Sequence, residues 1–326
     1  MKKLLVLIAL LTALLPQLSQ ADNKKIRIGY WTSGVSLGYG SVLESQDFLK
    51  KRGVDAEFVH FPDVNAPLKA LASGSIDLAF GAPLAGVFSV AAEGVPVRIF
   101  AATQPADVAF VVPEASPITG LSQLKGKKVG MSPAGSSVAV IGTTLLQENA
   151  GIAANQFSLI GGNESRLAQF LAQNQVDAAA LRTLTVQQLP ELKLRVIGTF
   201  ADEWKKLTHS DALPYIGVGT VRSELIQDDP QTVTNVIAAL RDTLEWGRAH
   251  PDRVVEILKV KASLPQDQAE AYVKLWDRMN QMSFENSDID TLKREHAVLA
   301  GSGAIQGGLN DELFDPRPYI ASKNLK

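Results

Sequence analysis

Cysteine is absent from this 326-residue chain. Disulfides are therefore excluded, and so is a lipid anchor, because acylation at a signal cleavage site needs a thiol. Histidine is scarce. His60, His209, His250 and His296 are scattered without metal-ligand spacing, and each reads as a surface or partly buried structural residue. No G-x-S-x-G nucleophile elbow occurs. The turn Lys125-Gly-Lys-Lys128 is like a phosphate loop only superficially, since no Ser or Thr follows the lysine and a strand comes after it. Charge is balanced, 32 Lys and Arg against 34 Asp and Glu, giving a net charge of −2 with no basic stripe. Nucleic acid and anionic membrane surfaces are accordingly not expected as partners. No catalytic residue, metal site or cofactor is expected, and what remains is binding chemistry.

Long apolar runs are also missing beyond the N-terminus. There, Lys2 and Lys3 precede the apolar run Leu4–Leu15, then Pro16, then the small-residue pattern Ser19-Gln-Ala21. This is the pattern of a cleavable signal peptide, residues 1–21, and the run is too short to span a bilayer. An exported chain with no anchor stays with the cell only behind a second membrane, so the expected location is the periplasm. With 46% apolar residues the remaining chain can bury a large core, and its length favours two domains.

What is present is a repeat. Leu71-Ala-Ser-Gly-Ser-Ile-Asp77 and Leu171-Ala-Gln-Asn-Gln-Val-Asp177 share one frame: a helix end, a residue suited to positive φ (Gly74, Asn174), then a buried strand. Upstream, Ile26-Arg-Ile-Gly29 and Lys128-Val-Gly130 each lead into a polar loop. The spacing predicts an α/β chain of two similar lobes. Residues 22–112 and 216–326 form lobe one, the latter carrying C-terminal helices, and residues 113–215 form lobe two. Val108–Val112 reads as an outward crossing strand and Leu213–Gly219 as the return, which together make a hinge. Asp229-Pro230 opens a helix whose apolar positions Val233, Val236, Ile237, Leu240 and Leu244 recur at helical period.

Ligands in open α/β sheets sit beyond the carboxyl ends of strands, and most of the loops expected there run into helix N-termini, which favour anions. Trp31, Thr32 and Ser33 lie in the first such loop and Ala82 in the next. Ser136 and Ser137, in the acid-free segment Pro133–Ser137, either hold an anionic head group or cap the helix that follows. Arg182, directly after a buried strand, either forks onto an anion or makes an ordinary ion pair. Gln104 and Tyr215 sit near the crossings, where a ligand is touched from below. Asn163 and Glu164 read as a helix cap, with contact to ligand as the other possibility.

Ile26-Arg-Ile-Gly-Tyr30, Ala70–Asp77, Leu124–Gly130, Gly135-Ser-Ser137 and Val176-Asp-Ala178 together resemble the solute-binding proteins of bacterial ABC importers. The similarity is to the group that includes the alkanesulfonate-, taurine- and nitrate-binding proteins. It implies the type II periplasmic-binding fold, two lobes closing on a ligand, delivery to the transmembrane subunits of a permease, and a monomer as the default state. This chain departs from the group at two places. Where sulfonate and taurine relatives often carry Trp-Asp-Pro it has Arg182-Thr183-Leu184, and where the alkanesulfonate relatives have an acid it has Gly81-Ala82-Pro83. Both changes disfavour an amine-bearing ligand. The expected ligand is a small organic anion, an organosulfonate first. The alternatives are a pyrimidine-synthase-like enzyme of the same fold and a periplasmic ligand sensor for a receptor kinase.

Overall fold

The computed structural model describes residues 25–325, so the expected signal peptide lies outside the described residues. Ten strands form two five-stranded sheets. They are β1 (Ile26–Trp31), β2 (Ala56–Phe61), β3 (Leu78–Pro83), β4 (Val97–Pro105), β5 (Val108–Pro113), β6 (Lys128–Met131), β7 (Ser158–Gly161), β8 (Ala178–Arg182), β9 (Leu194–Thr199) and β10 (Tyr215–Arg222). Sheet one has the order β2-β1-β3-β10-β4 and sheet two the order β7-β6-β8-β5-β9. In each, the first three strands are parallel and the fourth is antiparallel to both neighbours. The fourth strand is also the one that arrives from the other lobe. The fold is therefore α/β and two-lobed, with two crossing segments and helices after residue 230 packed on lobe one.

The repeated frame has one physical explanation in both lobes. Gly74 (φ +73°) and Asn174 (φ +56°) are left-handed stops. They let Ser75 N–H reach Ala70 O and Gln175 N–H reach Phe170 O, each at 2.8 Å. Asp77 then accepts from the Arg27 amide at 2.9 Å, and Asp177 accepts from the Lys128 amide at 2.8 Å. Each aspartate thus satisfies an N–H near the start of the central parallel strand, on the side where pairing with the third strand has not yet begun. Lobe one adds a charge: the Arg27 guanidinium forks onto Asp77 at 2.6 and 3.0 Å.

Burial follows the sheet type. Parallel strands covered on both faces read as continuous apolar runs, and Leu78, Ala79, Ala178, Ala179 and Ala180 are all fully buried. Gly29 of β1 lies against Ile76 and Phe61, leaving no room for a Cβ. Asp229 caps the helix Pro230–Ala249 by accepting from Thr232 N–H at 3.0 Å, and the expected apolar face, Val233 to Leu244, is buried. The helix Ser137–Ala150 of lobe two packs against the lobe-one helices Leu84–Ala92 and Asn286–Gly301, so one apolar core runs through both lobes.

Two local expectations are corrected. Val108–Val112 belongs to sheet two, not lobe one, because β5 pairs with β8 and β9; the outward crossing is Ala106–Asp107. Gly81–Pro83 is strand rather than loop, since β10 pairs alongside as far as Pro83, and the next helix begins at Leu84. The segment after β1 forms two helices, Gly34–Ser45 and Phe48–Lys51, broken where Asp47 turns left-handed at φ +53°.

Candidate functional site

Strand ends from both lobes converge on the cleft. Trp31 ends β1, and its indole N–H donates to Pro62 O at 3.2 Å, fixing the ring under the helix Gly34–Ser45. A Cβ on Gly34, which sits at φ +52°, would lie 3.0 Å from that ring. Arg182 ends β8, and its guanidinium carbon lies 5.2 Å from the Trp31 ring centroid. The two residues belong to different lobes, so this cation–π contact bridges the cleft. Both are 5% exposed.

Glu164, in the first turn of the helix Glu164–Ala172, holds Arg182 in place. Its carboxylate accepts from the Arg182 side chain and main-chain N–H and from the Thr185 hydroxyl. Glu164 is buried, so this is a closed ion pair. Among the described residues, the Arg182 Nε has no hydrogen-bond partner although it is fully buried. A buried guanidinium N–H without an acceptor is costly, and an incoming acceptor relieves that cost.

A cavity of about 200 Å³ opens beside this group. Its lining includes Ser33 and Gly34 from lobe one, Glu164, Thr185 and Gln188 from lobe two, and Gln268 from the C-terminal helices. No acidic residue stands in the first turn of the helix Gly34–Ser45 or of the helix Ser137–Ala150. Both N-termini therefore bring unopposed partial positive charge to the cleft. Larger hollows of about 490 and 550 Å³ lie on the outside of lobe one, away from the converging strand ends.

The remaining expected residues divide. Ser33 lines the cavity and its hydroxyl makes no cap bond. Gln104 is buried beneath the same helix and donates to Ser36 Oγ at 2.9 Å. Thr32 donates its hydroxyl to Phe61 O at 3.1 Å, tying β1 to β2. Ser136 caps its own helix, accepting from Ala139 N–H at 3.3 Å, while Ser137 accepts from Ala85 N–H of lobe one at 3.1 Å. The two serines thus serve helix ends on both sides of the cleft. Asn163 caps its helix by accepting from Arg166 N–H at 2.9 Å. Ala82 is buried within sheet one and does not line the cavity.

Tyr215 is turned away from the cavity. Its hydroxyl donates to Asp288 at 2.8 Å and its N–H to Glu295 at 2.7 Å, both on the helix Asn286–Gly301. Sequence reasoning missed Thr185, Gln188 and Gln268, and gave Glu164 no role with Arg182. The one available signal was an acid beside a cap residue, in the lobe that carries the arginine. Among the described residues no cluster of His, Asp or Glu could hold a metal, and no helix is long and apolar enough to cross a membrane.

The fold matches known proteins. The alkanesulfonate-binding protein of Xanthomonas axonopodis, solved bound to MOPS, superposes with a TM-score of 0.71 at 18% identity, over 86% of this chain and 94% of that one. The periplasmic aliphatic sulphonate binding protein of Escherichia coli gives 0.70 at 19% identity, over 89% and 90%. A desulfurization enzyme shares the fold at 0.63 and 16% identity, covering 92% of this chain and 99% of that chain. In sequence, a protein of Brucella abortus strain 2308 named only as a binding protein is 23% identical over 94% of this chain and 92% of its own. A Haemophilus influenzae protein named for thiamine biosynthesis is 27% identical over 65% of each. The NMT1/THI5-like family model matches residues 42–254, well over half of the chain, and the chain belongs to that family.

Proposed function

We propose that this chain is a periplasmic receptor, not a catalyst, which captures a small organic anion between its lobes and hands it to the transmembrane subunits of an ABC importer. Organosulfonates lead among the candidate ligands. The observation that carries this reading is the buried Arg182 Nε, an N–H without an acceptor at the face where the two lobes meet. The acid-free helix N-termini at the cleft support it, as do the sulfonate-binding proteins of the same fold. Lobe one is read as 22–107 with 215–326 and lobe two as the insertion between them, moving about Ala106–Asp107 and the 209–214 return. Export with loss of residues 1–21 and a monomeric state complete the proposal.

A second reading is favoured by Glu164. Its carboxylate already neutralises Arg182, so the site as a whole does not carry a free positive charge. A neutral polar solute, such as a flat heterocycle stacking near Trp31, fits that balance. Calorimetry with MOPS, methanesulfonate, nitrate, short carboxylates and pyrimidines separates the two. Binding of sulfonates with pyrimidines silent supports the anion; the reverse overturns it. Recovery of the bound compound unchanged from heat-denatured protein supports a receptor, and a cleaved product indicates an enzyme.

A further inference from the structure

The cavity has a wall that belongs to neither sheet. The helices Pro251–Lys261 and Gln266–Lys274 form a hairpin, turned where Ser263 adopts φ +53°. Leu264 and Gln268 near its tip, and Tyr272 one turn on from Gln268, line the cavity opposite Leu184, Thr185 and Gln188.

One side of this hairpin is fastened to lobe one. Tyr272 is buried, and its hydroxyl donates to Val35 O in the first turn of the helix Gly34–Ser45. Gly38, in the next turn, has no side chain because the Tyr272 ring occupies that space. The tip reaches lobe two, where the Gln188 side-chain amide donates to Gln268 O at 3.2 Å. Gln188 ends the short helix Thr183–Gln188, whose N-cap is Arg182. This six-residue helix therefore links Arg182, which is paired with the cavity-lining Glu164, to the hairpin contact.

We infer that the hairpin tip is a third jaw of the binding site, with Leu264, Gln268 and Gln188 setting the maximum length of the solute. This rests on the inter-lobe site proposed above. The cavity of about 200 Å³ is already below the roughly 300–1,000 Å³ usual for drug-sized ligands. A solute held beside Glu164 and Thr185 that outgrows this space meets Leu264 and Gln268 on the hairpin side of the lining. Short, compact compounds are admitted with the tip docked; longer ones must lift it and break the Gln188 bond.

Two measurements test the jaw, one of them independent of any ligand. Because the chain has no cysteine, Gln187→Cys and Asp267→Cys, both exposed, take a pair of spin labels without competing thiols. Pulsed electron resonance should give one narrow distance. Gln188→Glu, which sets a carboxylate against the Gln268 carbonyl, should lengthen or broaden it; an unchanged distribution overturns the jaw. Linear alkanesulfonates from methane to octane supply the second readout. In the parent, affinity should fall about tenfold or more past a cut-off length, and Leu264→Ala should move the cut-off to longer chains. An unmoved cut-off overturns the jaw. If no sulfonate binds the parent, the anion reading fails by itself and the label distances alone decide the jaw.

Discussion

Trp31 and Arg182 face each other across the cleft, indole from lobe one and guanidinium from lobe two, 5.2 Å apart. With Ser137 accepting from Ala85 N–H, and Asn65 donating to Ala134 O at 3.2 Å, this contact holds the lobes together in the structure described. On the proposed function, losing Arg182 should affect both the contact between the lobes and the ligand. Arg182→Ala should weaken an anionic ligand such as MOPS by about 1.5–3 kcal/mol, the range for a hydrogen bond to a charged group. Trp31→Ala should cost less, about 0.5–2 kcal/mol from the lost cation–π contact. Titration calorimetry measures both, and unchanged affinity in Arg182→Ala removes that residue from the site.

Glu164 separates the two readings of the ligand. Glu164→Gln keeps the shape and the acceptor for Thr185 but leaves the guanidinium without its counter-charge. Sulfonate affinity should then rise about tenfold or more, and affinity for a neutral pyrimidine should not rise. The fold should lose stability, because an unpaired buried charge costs about 3–5 kcal/mol before any anion compensates it. Thermal melts with and without MOPS would show both effects together. A variant as stable as the parent, with unaltered ligand preference, contradicts the role assigned to this pair.

The repeated aspartates should differ in weight. Asp177→Ala removes one hydrogen bond to the Lys128 amide, while Asp77→Ala removes the equivalent bond and also frees Arg27 from a bidentate pair. We expect a loss of about 1 kcal/mol at Asp177 and about 2–3 kcal/mol at Asp77. Urea denaturation of the two variants gives the comparison, and equal losses would mean that the ion pair adds nothing.

Glu295 should make stability depend on pH. It is fully buried, and burial pushes its carboxyl well above the usual range despite the bond from Tyr215 N–H. A carboxyl raised in the folded state favours folding most fully below its unfolded value. That advantage is lost as pH rises through the folded value. Glu295→Gln keeps an acceptor for Tyr215 and carries no charge at any pH. Its stability should equal or exceed the parent's at pH 8 and fall less between pH 5 and pH 8. Parallel slopes in chemical denaturation at the two pH values would refute this.

Much of this was legible in the chain because strand ends have fixed positions in an α/β sheet. Trp31 and Arg182 could be named from the residue after which each strand stops, and Gly74 and Asn174 from their tolerance of positive φ. Side-chain pairing was not legible. Glu164 looks like any acid in a first helical turn, and only the fold brings it to Arg182, eighteen residues on. Tyr215 sits at the crossing as expected, yet its hydroxyl is claimed by Asp288, whose position depends on how the last helices dock. Gln188 and Gln268 lie in segments with no mutual sequence signal, and only the tertiary fold brings them into contact.

β10 lies between β3 and β4. The first sheet cannot be completed until the ribosome has made residues 215–222, after the whole inserted region. The hydroxyl of Tyr39 waits longer still, for Leu240. Such long-separation pairing is slow to form, because loop entropy must be overcome before the contacts give any return. A nascent chain of this design therefore keeps an incomplete first sheet, with apolar surface uncovered, until the inserted region and β10 have been made.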